Sequence, residues 1–298
     1  MKVSVISLFL LIVFVCNINA ISDTVPQTIG TGKQLPTNAV PYFSFKSNVI
    51  LDGVIDDSIP TKALLDIGAW GIAIPEKFRT RQPAYGDSLP VQENIRFKVG
   101  GWQRDMVATY MKDDSQFLRW YGEECVLLGW DFFDNRILEI SYKDHYIREL
   151  RRSELDSLAG YDRIKFIDRG KRLIVPARVH IDGKNIEGNF WIDTGLNGTL
   201  FFTNNIPADY NLDLSKTKSG RAKNLDTNHT PVNILKTDTI QIGNSIVTGR
   251  DIIFSDSEWF VFKENDIYIG LIGNQFFRYF SVIFDFRRNN LYLKPTGE

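Results

Sequence analysis

The chain has 298 residues, of which 43% are hydrophobic, 13% aromatic and 24% charged, with a formal net charge of −1. That is globular composition, long enough for one large or two modest cores. So small a net charge gives no electrostatic attraction for nucleic acid or an acidic membrane, and no nucleic-acid partner is expected.

The opening stretch MKVSVISLFLLIVFVCNINA places Lys2 before an apolar run and ends at Ala20, the pattern of a signal peptide over residues 1–20. The run is shorter than the roughly 20 residues a spanning helix needs, so no transmembrane span is expected in the mature chain. An exported protein, periplasmic or secreted, is the expectation; the plainer alternative is an uncleaved anchor. Cys16 raises lipoprotein anchoring, but Val15 stands where such signals carry a small residue. After cleavage Cys125 would remain alone, so no intrachain disulfide is expected, and its place before VLLG reads as a small buried apolar residue. Residues 21–40 are polar with Pro and Gly, and read as a flexible stem.

From residue 41 the pattern is mostly strand. NVILDGVIDDSIPTKALLDIGAWGIAI (48–74) has apolar runs on either side of Asp52-Gly53, a hairpin-turn signal because glycine accepts positive φ. Its return ends in Asp66-x-Gly68-x-x-Gly71. VLLGWDFFDNRILEISY (126–142) follows, then the charged YIRELRRSELDSLAG (146–160), a candidate helix and solvated connector.

The second half repeats this order. ARVHIDGKNIEGNFWIDTGLNGTLF (177–201) has its own Asp182-Gly183 and ends its return in Asp193-x-Gly195-x-x-Gly198. GLIGNQFFRYFSVIFDF (270–286) repeats two aliphatics, a glycine and a Phe pair three residues later. Asp66 to Gly129 is 63 residues and Asp193 to Gly273 is 80, and the 17 extra residues fit best in the polar stretch 214–230. RLIVPARVHI, NILKTDTIQIG, SIVTGRDIIF, FSVIFDF and NNLYLKP read as strands bounded by turn formers, with helix expected mainly after Gly129 and Gly273. The duplication pairs Asp66 with Asp193. A carboxylate in an apolar strand costs several kcal/mol unless it is paired or protonated, so each aspartate needs a reason to be there.

These repeated motifs resemble those of the aspartic peptidases of retropepsin and pepsin type. Asp193-Thr194-Gly195 fits that family's signature triplet and Leu271-Ile272-Gly273 its downstream aliphatic-aliphatic-glycine element; Asp66-Ile67-Gly68 and Leu127-Leu128-Gly129 match them in the first half. The resemblance covers residues 41–298 and is nearest to bacterial-type retropepsin-like proteins with both half-sites in one chain. It implies an all-β fold of two pseudo-symmetric β-barrel-like lobes of the acid-protease type, with a short helix in each lobe. The lobes are expected at 41–150 and 166–298, joined by a linker over 151–165, in a monomer that is an intramolecular pseudo-dimer. It further implies catalytic Asp66 and Asp193, support from Gly68, Gly195 and Thr194, and a peptide or protein substrate. Ala69, Trp70, Leu196 and Asn197 would flank the cleft, and hairpins within 84–101 and 214–233 would close it.

Two close carboxylates cannot both ionise cheaply, so one keeps a proton while the other takes a proton from a water held between them. Departures from the pattern stand beside this. Ile67 replaces the first-half threonine, so at most one arm of a reciprocal hydroxyl grip survives. Neither Ala69 nor Leu196 can donate to an outer carboxylate oxygen. These favour the alternative of a catalytically silent two-lobed relative that binds peptide or protein. Asp66 also has a simpler reading as a turn residue before glycine. Asn197-Gly198-Thr199 is formally a glycosylation acceptor but reads as a turn, whereas Asn228-His229-Thr230 is the better-exposed acceptor. His145, His180 and His229 are not spaced as metal ligands, and no phosphate loop or G-x-S-x-G elbow occurs, so no metal or cofactor is expected. The tryptophans other than Trp70 read as core.

Overall fold

The computed structural model describes residues 34–79, 93–169, 171–202, 205–223, 229–254 and 267–297. The signal peptide, most of the stem, part of the first expected lid, Trp259 and Asn228 lie outside these residues.

In the first half, strand Asn48–Ile55 turns back into Ile59–Asp66, with Ile55 opposite Ile59. The turn sits at Asp56 and Asp57, with φ of 46° and 64°, and not at Asp52-Gly53. Gly53 is in mid-strand for a packing reason. A Cβ there would stand 2.5 Å from the Phe97 ring, so the missing side chain admits the aromatic of a crossing strand. The Asp66 strand then runs parallel to Cys125–Gly129, which is antiparallel to Ile72–Pro75. Ile72–Pro75 runs parallel to Trp102–Met111, the partner of Glu93–Val99. That last strand returns to Asn48–Ile55 through Ile55 opposite Phe97, closing a six-stranded barrel. Alternating side chains of these strands, Leu51, Ala63, Leu65, Phe97, Val126 and Leu128 among them, fill it. Residues 93–99 are therefore barrel wall, which removes them from the first expected lid.

The second half uses the same strand order. Arg172–Ile181 pairs with Lys184–Asp193 around Asp182 and Gly183, where the sequence signal for a turn holds. The Asp193 strand lies parallel to Gly270–Gly273, antiparallel to which runs Leu200–Phe202, followed in parallel by Asp251–Phe254. Here the sheet stays open among the described residues. Lys218–Lys223 and His229–Lys236 extend it as a hairpin within the segment carrying the extra residues. Thr239–Ile242 and Ser245–Thr248 extend the opposite edge.

The two lobes are joined in a third sheet. Ile137–Ser141 pairs antiparallel with Phe280–Asp285, flanked by Tyr146–Glu149 with Val40–Pro41 on one side and Asn290–Pro295 with Asp162–Lys165 on the other. The stretch 146–160 read as a helical connector therefore divides, Tyr146–Glu149 being a strand and only Arg152–Asp156 helical, and the end of the expected linker, Asp162–Lys165, is a strand as well. A short helix does follow each glycine, 3-10 at Trp130–Phe133 and a single turn at Asn274–Phe277. Their paired phenylalanines are buried in the main core, Phe132 and Phe133 against Phe97 and Trp102, Phe276 and Phe277 against Phe280 and Phe284, each contributing about 2 kcal/mol by removal from water.

Candidate active site

Each aspartate closes its strand, and the neighbouring strand ends in glycine at the same level: Asp66 beside Gly129, Asp193 beside Gly273. The loop following each aspartate folds back over that glycine. A Cβ on Gly129 would meet the carbonyls of Ala69 and Gly71 at 2.8 Å, and one on Gly273 those of Gly198 at 2.2 Å and Leu196 at 2.7 Å. Backbone bonds pin both loops. Gly129 N donates to Gly71 O at 2.8 Å and Trp130 N to Ala69 O at 3.1 Å, while Gly273 N donates to Thr199 O and Asn274 N to Leu196 O, both at 3.0 Å. Side chains brace both loops as well, Gly71 N donating to Asp131 Oδ1 at 2.7 Å in the first and Gln275 Nε2 to Asn197 Oδ1 at 3.1 Å in the second.

The two aspartates meet across the lobe boundary, each against the other half's glycine. A Cβ on Gly68 would lie 2.9 Å from Asp193 Cα, and one on Gly195 would lie 2.5 Å from Asp66 Oδ2. Asp66 Oδ1 accepts from Gly68 N at 2.7 Å and from Gly195 N, of the opposite half, at 3.0 Å. Asp193 Oδ1 accepts from Leu196 N at 3.0 Å. The two carboxyls act on each other across the boundary, and each residue is only 2% exposed.

Burial sets their acidity. Loss of water pushes Asp66 up to about 6, and the N–H groups of Gly68, Gly195 and Ala69 keep it from rising further. Burial pushes Asp193 well above the usual carboxylate range, and the charge of Asp66 raises it further. Two carboxyls this close do not both ionise readily, and Asp66, which accepts two N–H groups on Oδ1 where Asp193 accepts one, is the favoured ionised member.

Thr194 crosses the boundary. Its Oγ1 accepts from Ile67 N at 2.8 Å and donates to Leu65 O at 3.3 Å. Ile67 makes no reciprocal bond; its side chain is wholly buried in the main core. The sequence reading missed Asn48 on that side. Its Nδ2 donates to Thr194 O at 2.9 Å and Gly195 O at 3.4 Å, and its Oδ1 accepts from the Tyr121 hydroxyl at 3.2 Å. The available signal was a lone amide heading an apolar strand.

The residues expected beside the cleft fare unequally. Ala69 packs with Leu64, Phe117 and Leu127. Leu196 exposes no surface at all and is locked among Trp191, Phe201 and Val232, so it is not a lining residue as expected. Asn197 is buried, its Oδ1 accepting from Gln275 Nε2 at 3.1 Å. Trp70 is half-buried, with Lys171 Nζ of the other half 3.2 Å from its ring centroid. The hairpin of 218–223 and 229–236 packs through Ala222 and Val232 onto the Leu196 cluster, beside the dyad; its tip lies outside the described residues. Cys125 is buried and its thiol is pushed up to about 12 by loss of water. Among the described residues no group of three or more His, Cys, Asp or Glu is placed to hold a metal, and no helix is long and apolar enough to cross a membrane.

No protein-family model matches the chain, and neither does any curated protein. Among solved structures, an aspartic proteinase from Irpex lacteus superposes with a TM-score of 0.55 at 9% identity, over 87% of this chain and 97% of that one. In fold, the chain resembles the aspartic proteinases. At that identity the likeness is one of fold, and the chemistry has to be argued from the residues themselves.

Proposed function

We propose that the chain is an aspartic-type endopeptidase with Asp66 and Asp193 as its catalytic pair. The observation carrying this reading is the cross-boundary contact in which two buried aspartates each lie against the other half's glycine while Gly195 N of one half holds Asp66 of the other. Asp66, the better supplied with N–H donors, acts as base and takes a proton from a water bound to the pair. Protonated Asp193 hydrogen-bonds the scissile carbonyl oxygen. The water oxygen bonds to the carbonyl carbon, and the C=O π electrons move onto the carbonyl oxygen. Collapse of the tetrahedral species breaks the C–N bond, the nitrogen leaving with a proton from Asp66. No covalent bond to the protein forms. Gly68, Gly195 and Thr194 keep the geometry, and Trp70 beside Lys171 would bound one end of the substrate path.

Export with removal of 1–20, a stem over 21–40, lobes near 41–150 and 166–298, and a monomeric state belong to the same proposal. Ala69 and Leu196, which give the outer carboxylate oxygens no side-chain donor, favour the second reading, a silent peptide-binding relative. Incubation of the mature chain with a denatured protein from pH 3 to 8, with and without a transition-state analogue carrying a non-hydrolysable secondary alcohol, separates them. Internal cuts abolished by the analogue are expected. Tight binding of the denatured protein without cuts at any pH would establish the silent reading.

A further inference from the structure

Hydroxyl support reaches the dyad from one side only, because Ile67 cannot return the bond that Thr194 makes. By the pseudo-twofold, a hydroxyl at 67 would grip the main chain around Thr194. Asn48 takes hold of that same loop from a different place. Extending the register in which Ile50 faces Leu64 sets Asn48 opposite Asp66, at the head of the adjacent strand. Its counterpart by register in the second half is Arg172, whose guanidinium lies over the Trp191 and Tyr268 rings at 4.8 and 5.5 Å. The two halves thus differ at this position.

The atoms form a directed chain. The end of Asn48 that faces Thr194 O and Gly195 O must be its amide nitrogen, since carbonyls only accept. That leaves Oδ1 to receive the Tyr121 proton. Thr194 C=O and Gly195 N–H belong to one peptide group, and that N–H donates to Asp66 Oδ1. Each donor polarises the next, and in a buried site such chains strengthen the terminal bond by about 10–30% per link. The terminal bond is to a carboxylate, so strengthening it favours the ionised form.

We propose that Asn48 and Tyr121 are positioning residues that clamp the Thr194–Gly195 peptide of the second lobe against Asp66, replacing the missing hydroxyl arm and fixing Asp66 as the ionised member of the pair. This rests on the dyad reading above. Neither residue touches a reacting atom. The titratable groups facing Asp66 are Asp193 from the opposite strand and Tyr121 from the helix Gln116–Tyr121, with Cys125 behind Tyr121. Tyr121 is raised by burial and Cys125 is pushed up to about 12, so below neutral pH both stay neutral and the pair titrates on its own.

The test is a carbon-13 NMR titration of the Asp66 and Asp193 carboxyls in the full chain, for wild type, Asn48→Ala and Tyr121→Phe, with the pH profile of peptide cleavage beside it. Loss of the clamp should raise the lower apparent pKa of the pair by about half a unit in Asn48→Ala and by less in Tyr121→Phe. The acidic limb of kcat should move by the same amount, with KM unchanged. Tyr121→Phe deletes one hydroxyl and keeps the ring, so it decides the matter if Asn48→Ala fails to fold. An unchanged titration in Tyr121→Phe and in any folded Asn48→Ala overturns the proposal. A shifted titration in a chain that cuts no peptide would uphold the clamp and overturn the peptidase reading alone.

Discussion

A buried carboxyl binds its proton more tightly than the same group in the unfolded chain, and at Asp193 the charge of Asp66 adds to that effect. The native state then carries more bound protons than the unfolded state, so the free energy of unfolding falls as pH rises. Both aspartates contribute full stability below the ordinary value of 3.8, and lose it as pH climbs through about 6 for Asp66 and higher for Asp193. Asp193→Asn, which keeps an acceptor for Leu196 N, should therefore match wild type at pH 3 and exceed it in stability at pH 7. Thermal melts at the two pH values measure this; an equal Tm difference at both would contradict the sign. Thr194→Val acts differently, orphaning Ile67 N–H and Leu65 C=O in a buried site at a cost of about 2 kcal/mol. Urea unfolding should show that loss, and a variant as stable as wild type would remove Thr194 from the lobe interface.

Elements followed from the sequence where one physical cause dominated. The strands ending at Asp66 and Asp193 were legible because apolar runs stop at a glycine-rich turn. The turn at Asp182-Gly183 was legible because its residues take positive φ. The same dipeptide at Asp52-Gly53 misled, since its glycine serves the Phe97 ring and the turn passed to Asp56 and Asp57. Charge misled at 146–160, where polar side chains hid Ile147, buried in the main core, and Leu150, buried with Ile137, Leu155 and Ile283. Within that stretch Arg152 Nη1 bonds Asp285 Oδ2 at 2.9 Å, and Asp285 is wholly buried. Removing the cation strands a buried carboxylate, so Arg152→Met should destabilise by about 3 kcal/mol, largely recovered by adding Asp285→Asn. Urea unfolding of the two variants measures both changes; a single variant within about 0.5 kcal/mol of wild type would make the pair incidental.

On the scale of the molecule, duplication was the strongest signal, because two motifs in one order constrain each other where either alone is an ordinary turn. It yielded the two-lobed β architecture and the pairing of Asp66 with Asp193. What it could not yield is asymmetry: the closed barrel of one half against a sheet that stays open among the described residues of the other, or an amide from Asn48 reaching a loop 146 residues away. Such contacts depend on how the halves meet, and the shared sheet through Ile137–Ser141 and Phe280–Asp285 decides that. The central claim is that Asp66 and Asp193 work as one unit on a peptide bond. Mass spectrometry of a peptide mixture incubated with wild type, Asp66→Asn and Asp193→Asn from pH 3 to 8 tests it most directly. Wild type should generate internal cuts with a bell-shaped dependence peaking on the acidic side of neutral, and each folded variant should generate none. Cleavage by Asp66→Asn at the wild-type rate, or no cleavage by wild type at any pH, would contradict it.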